Sequence, residues 1–324
     1  MSPIQEEQNN DLLVSKIFDK ISNKAPEFFR TMDAFALIPK IESTIALMRF
    51  VQSDMQVFPV YLKDDITNLP TIIASKDTAY IELRDSLASQ EGKYKDFHKL
   101  IKIEKDKIKS RAELVVKDVK QFEENFSADP IDFSSNYILP KNELTYRDEN
   151  QLILVQELFE GDIYALSQKE QWNTDKKLSA MTAFCKALND LHDHGYLHRD
   201  IKPNNVLKKT AKDKVTGQKQ ERIVLADLDT IVKKDDPKRI SHFAGTVGFF
   251  TTDGVLNPSS ASDMYAFGTS LEFMFPEITN ANATERNAKE TKIFELISSL
   301  KQEEPSNRPT AAQTLEKLEE IAKL

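Results

Sequence analysis

Residues 195–207 read "GYLHRDIKPNNVL", with His198, Arg199 and Asp200 in a row, Lys202 two positions past the aspartate and Asn205 five past it. They follow a long helical pattern over 177–194, with Met181, Phe184, Leu188 and Leu191 on one face. Asp200 alone reads equally well as a helix cap or a turn residue. A second acid downstream changes that. Asp227 stands directly after the apolar run "IVLA", and Asp229 two residues further on. Two short strands, "NVLKK" and "RIVLADL", enclose the loop "TAKDKVTGQKQE" at 210–221, so a strand–loop–strand unit returns Asn205 and Asp227 to one edge of the fold. An asparagine and an aspartate converging beside a third carboxylate suit phosphoryl transfer. Two oxygen ligands hold Mg²⁺ or Mn²⁺ against phosphates, while Asp200 accepts the proton of an attacking hydroxyl. Lys202 is near enough to neutralise charge on the transferred group.

The rest of the chain sets limits. At 324 residues two domains are expected, and 40% hydrophobic with 30% charged residues describes a soluble globular protein. The net charge of −8 argues against wholesale nucleic-acid binding. The single cysteine, Cys185, excludes an internal disulfide and a cysteine-based zinc site, and its apolar helical setting reads as a small core residue. No signal peptide and no membrane-spanning apolar run is found, which points to a soluble, cytoplasmic chain.

Residues 1–10 read as polar and unstructured. Apolar residues at helical spacing from Leu12 to about Val51 predict two or three amphipathic helices, with Pro26 and Pro39 at or near helix starts. "TIIASKDTAYIEL" (71–83) and "KLIKI" (99–103) predict short strands, and "KIKSRAELVVKDVKQFEENF" (107–126) a charged helix. "YILPKNELTYRDENQLILVQEL" (137–158) predicts two strands around a turn at 147–150, and helices dominate after Ser262. A small strand-rich half therefore precedes a larger helical half, with the boundary near Leu158–Gly161.

On these residues the sequence resembles the protein kinases. "HRDIKPNN" is similar to their catalytic loop, and Lys202-Pro203 to its Ser/Thr-specific form. "LILVQELFEG" resembles the fifth strand and hinge, with Gln156 as gatekeeper and Glu157–Phe159 facing adenine. "GTVGFFTTD" (245–253) resembles the end of an activation segment, "SDMYAFG" (262–268) the start of the long central helix, and "SNRPT" (306–310) carries Arg308, which the family pairs with an acid, here Asp253. The resemblance covers about 136–324. It implies an α+β, bilobal protein-kinase-like fold with an amino lobe at 66–158 and a carboxy lobe at 159–324, to which the helical pattern adds an N-terminal helical extension at 1–65. It also implies an ATP-dependent Ser/Thr protein kinase using Mg²⁺ or Mn²⁺, with ATP between the lobes under the 74–83 hairpin. Asp200 would be the base, Asn205 and Asp227 metal ligands and Asp263 the tether of the catalytic-loop backbone. His198 would brace the loop, Thr246 would contact Asp200 and Lys202, and Arg199 belongs to a type that often binds a phosphorylated segment.

The amino half departs from the family. No glycine-rich loop is present: Ala74, Ser75 and Ala79 in "ASKDTAYIEL" align with it, and Tyr80–Leu83 with the following strand. Lys102 matches the phosphate-binding lysine, with Glu113 as its helix partner and Glu123 or Glu124 behind it. "DLD" stands for Asp-Phe-Gly, so Asp229 replaces a glycine and is a further candidate metal ligand, as in small-molecule kinases. "TTD" stands for Ala-Pro-Glu, and 210–221 reads as an insertion. Residues 93–120 hold ten Lys or Arg and five Asp or Glu, read either as a solvated helix face or as a site for an inositol phosphate or phosphoinositide headgroup. Lys233, Lys234, Lys238 and Arg239 are either solvated or a surface for an acidic substrate. A pseudokinase, a small-molecule or lipid kinase, and a nucleotidyl transferase on the same fold stay open. The divergent amino half is compatible with a bacterial effector acting inside a host cell.

Overall fold

The computed structural model describes residues 56–59, 71–74, 78–86, 95–104, 107–116, 131–147, 152–212, 217–236, 245–251, 254, 257–279 and 286–324. The chain is α+β and divides into two compact units. One comprises Met1–Val119 and Asn142–Leu158, the other Lys120–Lys141 and Phe159–Leu324.

In the first unit the described residues form one antiparallel sheet. Its strands are β1 (Gln56–Pro59), β2 (Thr71–Ala74), β3 (Thr78–Ser86), β4 (Lys95–Glu104), β5 (Lys107–Val116), β6 (Leu144–Arg147) and β7 (Leu152–Glu157), in the order β1-β2-β3-β4-β5-β7-β6. β1 falls where a helical extension was expected; the remainder of 1–65 lies outside the described residues. β4 and β5 pair over ten rungs, from Lys95 opposite Val116 to Glu104 opposite Lys107.

β5 corrects the helix expected over 107–126. Ile108, Ser110, Ala112, Leu114 and Val116 alternate with Lys107, Lys109, Arg111, Glu113 and Val115, a period of two. Ala112, Leu114 and Val116 are buried. Ladder bonds on both sides, to β4 and β7, outweigh the helix propensity of the charged residues. Residues 117–126 lie outside the described residues.

The second unit is mainly helical. Among the described residues its helices are α1 (Ile163–Lys169), α2 (Thr174–Asp193), α3 (Ser260–Met274), α4 (Pro276–Thr279), α5 (Ala288–Leu300) and α6 (Ala311–Ile321). Asn173, Ser259, Asn287 and Thr310 each cap a helix by accepting the backbone N–H three residues on. α2 and α3 carry the core: Phe184 and Phe267 meet edge to face with ring centres 5.2 Å apart, both fully buried. Phe267→Ala would cost ~3–5 kcal/mol by leaving a cavity. Gly268 admits α5, since a Cβ there would stand 2.7 Å from Leu300 Cβ.

Three small strand pairs position the loops. β8 (Gly161–Asp162) and β11 (Lys219–Leu225) flank β10 (Val206–Lys212), and β9 (Tyr196–Leu197) pairs with β12 (Val232–Lys233). The ladder of β10 and β11 continues to Lys212 opposite Lys219, so much of the loop expected at 210–221 is strand whose backbone groups satisfy one another. Ile138 makes only an isolated bridge to Leu225 where a strand was expected, and the first ladder strand in that stretch is β6. Among the described residues no helix is long and apolar enough to cross a membrane.

Candidate active site

The stretch that leaves β9 passes through a 3₁₀ turn at Pro203–Asn205 and enters β10. Within it Asp200, 8% exposed, is the centre of a hydrogen-bonded group. Its Oδ1 accepts the Thr246 hydroxyl at 2.7 Å and its Oδ2 accepts Lys202 Nζ at 2.7 Å. Lys202 Nζ also donates to Thr246 Oγ1 at 2.8 Å, closing a triangle. Asn205 Nδ2 donates to the Asp200 carbonyl at 2.8 Å and to Oδ2 at 3.1 Å. Thr246 reaches Asp200 because Gly245 precedes it: φ is +131°, and a Cβ would lie 3.2 Å from the Arg199 carbonyl oxygen.

Asp263, in the first turn of α3 and 3% exposed, holds this loop by its backbone. Oδ2 accepts the His198 N–H at 2.9 Å and faces His192 Nε2 at 3.0 Å, while Oδ1 accepts the Arg199 N–H at 3.0 Å. Burial alone would raise the Asp263 carboxyl, but the His192 bond and charge and the His198 amide hold it below the usual carboxylate range. Arg199 adopts a left-handed φ of 70°. Its Nε donates to the Thr230 carbonyl at 2.6 Å, and the Thr230 hydroxyl donates to the His198 carbonyl at 2.6 Å. Burial pulls the Arg199 guanidinium below its ordinary value, against the opposing fields of Asp263 and Asp236. His198 is fully buried; its Nδ1 accepts the Asp200 N–H at 3.4 Å, which leaves Nε2 to donate to the Ala226 carbonyl at 3.1 Å.

The β10–β11 register brings the second acid to the same edge. Val206 stands opposite Leu225, and the Ala226 N–H donates to the Asn205 carbonyl at 2.8 Å. Asp227 follows in a left-handed conformation (φ 56°, ψ 58°), tolerable for aspartate, and opens the 3₁₀ turn Leu228–Thr230 that contains Asp229. Because Asn205 Nδ2 is committed to Asp200, its amide presents oxygen at its other end. That oxygen and the Asp227 carboxylate are hard donors of the kind Mg²⁺ or Mn²⁺ takes, so the residues fit such an ion.

In the first unit, Lys102 lies on β4 opposite Tyr80 and Lys109. Its Nζ is 3.3 Å from Glu143 Oε2, and Arg111 Nε donates to Glu143 Oε1 at 2.7 Å. Burial works against ionised Glu143, but Arg111 and Lys102 together hold its carboxyl below the usual range. The expected helix partner, Glu113, is instead on strand β5, opposite His98 and Val155. Glu123 and Glu124 lie outside the described residues. Glu143 has no local signal in the sequence, because only the sheet register brings it within reach of a lysine 41 residues away. Ala74 stands opposite Ala79 across β2 and β3, and Ser75 lies outside the described residues. Glu157 ends β7 opposite Arg111, and Phe159 begins the second unit's main segment. Arg308 donates to the carbonyls of Gln302, Ala261 and Glu303 and stacks on Tyr265; Asp253, Lys238 and Arg239 lie outside the described residues.

The protein kinase domain family matches residues 102–318, well over half of the chain, and the chain belongs to that family. It is 26% identical over 137 residues to the sporulation protein kinase mde3 of Schizosaccharomyces pombe, covering 39% of this chain and 24% of that protein. It is 24% identical over 212 residues to a light-sensor protein kinase of Ceratodon purpureus, covering 51% of this chain and 16% of that one. Over 73 residues it is 35% identical to the human MAPK/MAK/MRK overlapping kinase, covering 22% and 17%. The chain spans about a quarter or less of the length of these curated relatives.

Proposed function

We propose that the chain transfers the γ-phosphoryl group of ATP to a serine or threonine hydroxyl of a protein acceptor. The observation that carries this is the Asp200–Lys202–Thr246 triangle: a hydroxyl already donates to the carboxylate while taking a bond from the ammonium. An acceptor hydroxyl held in the same way would give Asp200 its proton as its oxygen bonds to the γ-phosphorus and the bond from that phosphorus to the β,γ-bridging oxygen breaks, releasing ADP, with Lys202 steadying the transferred charge. Asn205 and Asp227, with Asp229 as a further candidate, would hold Mg²⁺ or Mn²⁺, which neutralises the phosphates when bound. Lys102, braced by Glu143, would contact the phosphates. Ala74, Ser75, Ala79, Glu157 and Phe159 would line the nucleotide. Lys202-Pro203, similar to the Ser/Thr-specific form, supports the choice of acceptor.

The excess of positive charge over 93–120 falls largely on β4 and β5, where Lys102 and Lys109 stand directly opposite. A polyphosphate such as an inositol phosphate would neutralise that excess. An unchanged melting temperature on adding inositol hexakisphosphate would count against such a site.

The acceptor is tested by incubating the chain with γ-labelled ATP, Mg²⁺ or Mn²⁺ and mixed protein acceptors, then hydrolysing the labelled protein in acid. Phosphoserine or phosphothreonine is expected. Label found only as phosphotyrosine, or only on small molecules, would overturn the assignment.

A further inference from the structure

Lys208 is a charged side chain in a place where charges are seldom found, 3% exposed on β10. Its ammonium donates to Glu160 Oε2 at 3.1 Å and Thr210 Oγ1 at 3.2 Å, and lies 3.4 Å from Glu221 Oε1. Burial opposes its charge, but the bond it donates to Glu160 and the field of Glu221 outweigh burial and keep it above its ordinary value.

Glu160 is bound to the same strand along its whole length. Its N–H donates to the Lys208 carbonyl at 2.9 Å, its Oε1 accepts the Thr210 N–H at 2.8 Å, and its Oε2 accepts the Thr210 hydroxyl at 3.2 Å. The next two residues, Gly161 and Asp162, pair with Lys208 and Leu207. So the chain is clasped to β10 one residue after Phe159, and β10 itself begins one residue after Asn205. An apolar pair of similar volume would hold the strands without burying an ammonium, so the ionic clasp is better explained by geometry than by stability.

We propose, resting on the kinase reading above, that Glu160 and Lys208 are positioning residues. They set the spacing, within the second unit, between Phe159, which would meet the nucleotide base, and the Asn205–Asp227 edge, which would hold the metal. A ligand touching only one end is indifferent to that spacing. Mg–ATP spans both ends and depends on it.

The test is calorimetric titration of the full chain with Mg–ATP and, separately, with adenosine. Glu160 is partly exposed, so Glu160→Gln folds even where Lys208→Met does not. Glu160→Gln is expected to weaken Mg–ATP about tenfold, the scale of coupling between contacting residues, and to leave adenosine unchanged. Lys208→Arg, which keeps the charge, is expected to bind Mg–ATP within about threefold of wild type. Wild-type affinity in Glu160→Gln, with or without a lower melting temperature, would reduce the clasp to a structural contact. Equal weakening of both ligands would also overturn it. A wild-type chain that binds no Mg–ATP would remove the kinase reading and the clasp together, whereas the first two outcomes remove the clasp alone.

Discussion

Two carboxylates, Asp263 in the second unit and Glu143 in the first, each hold an important group in place, but by different means. Asp263 is buried and spends its oxygens on the backbone N–H groups of His198 and Arg199 and on His192. Glu143 is partly exposed and, among the described residues, meets the charged ends of two long side chains, Lys102 and Arg111. A carboxylate fixed to backbone defines geometry and is costly to lose. One that is itself partly exposed and pairs with side chains contributes less. The stretch around Asp200 is therefore held through its backbone, and the Lys102 cluster through side-chain ends.

The largest expected effect lies at the metal edge. Asp227→Ala should lose at least the ~10²–10⁴ in transfer rate ascribed to a general base, because the phosphates are then no longer held in register. It should also abolish the strengthening of ATP binding by Mg²⁺, read by calorimetry with and without the metal. Persistent Mg²⁺ dependence would move the ligand role elsewhere.

Next comes Asp263. Asp263→Ala leaves two buried N–H groups and His192 unsatisfied and should cost ~3 kcal/mol in denaturant unfolding. The folded carboxyl lies below its ordinary value, so its stabilisation is present above about pH 4 and is lost as pH falls through the folded value. The gap between wild type and Asp263→Asn should accordingly narrow as pH falls below about 4. A gap that widens on acidification would contradict the sign.

The smallest effect is expected at Glu143. Glu143→Gln should weaken Mg–ATP about two- to fivefold, the scale of a partly exposed ion pair, while Glu113→Gln changes nothing measurable. The reverse ranking would restore Glu113 as the partner of Lys102 and erase the contrast between the two units.

The same contrast explains what could be read from the sequence. Asp200, Lys202 and Asn205 sit within six residues, and one antiparallel return brings Asp227 beside them, so spacing alone assembles that edge. Asp263 and Thr246 are distant in sequence but lie in motifs with their own signatures. Around Lys102 no such economy exists. Lysines crowd β4 and β5, and the lysine's acid is chosen by register across β5 and β7 and by the turn into β6. The period of two in "KIKSRAELVV" was visible, but its charged residues also suit a helix, and pairing with distant strands decided the matter. Lys208 gave no signal, since burial of a lysine shows only once Glu160 and Glu221 are brought beside it.

The most direct test of phosphoryl transfer by this loop is label transfer from γ-labelled ATP at saturating Mg²⁺, wild type against Asp200→Asn. The amide keeps the shape of the side chain and the bond from Lys202 but cannot take a proton. Transfer in the wild type, reduced at least about a hundredfold in Asp200→Asn with Mg–ATP affinity unchanged, is the predicted result. Undiminished transfer in Asp200→Asn would contradict the assignment of Asp200 as the base.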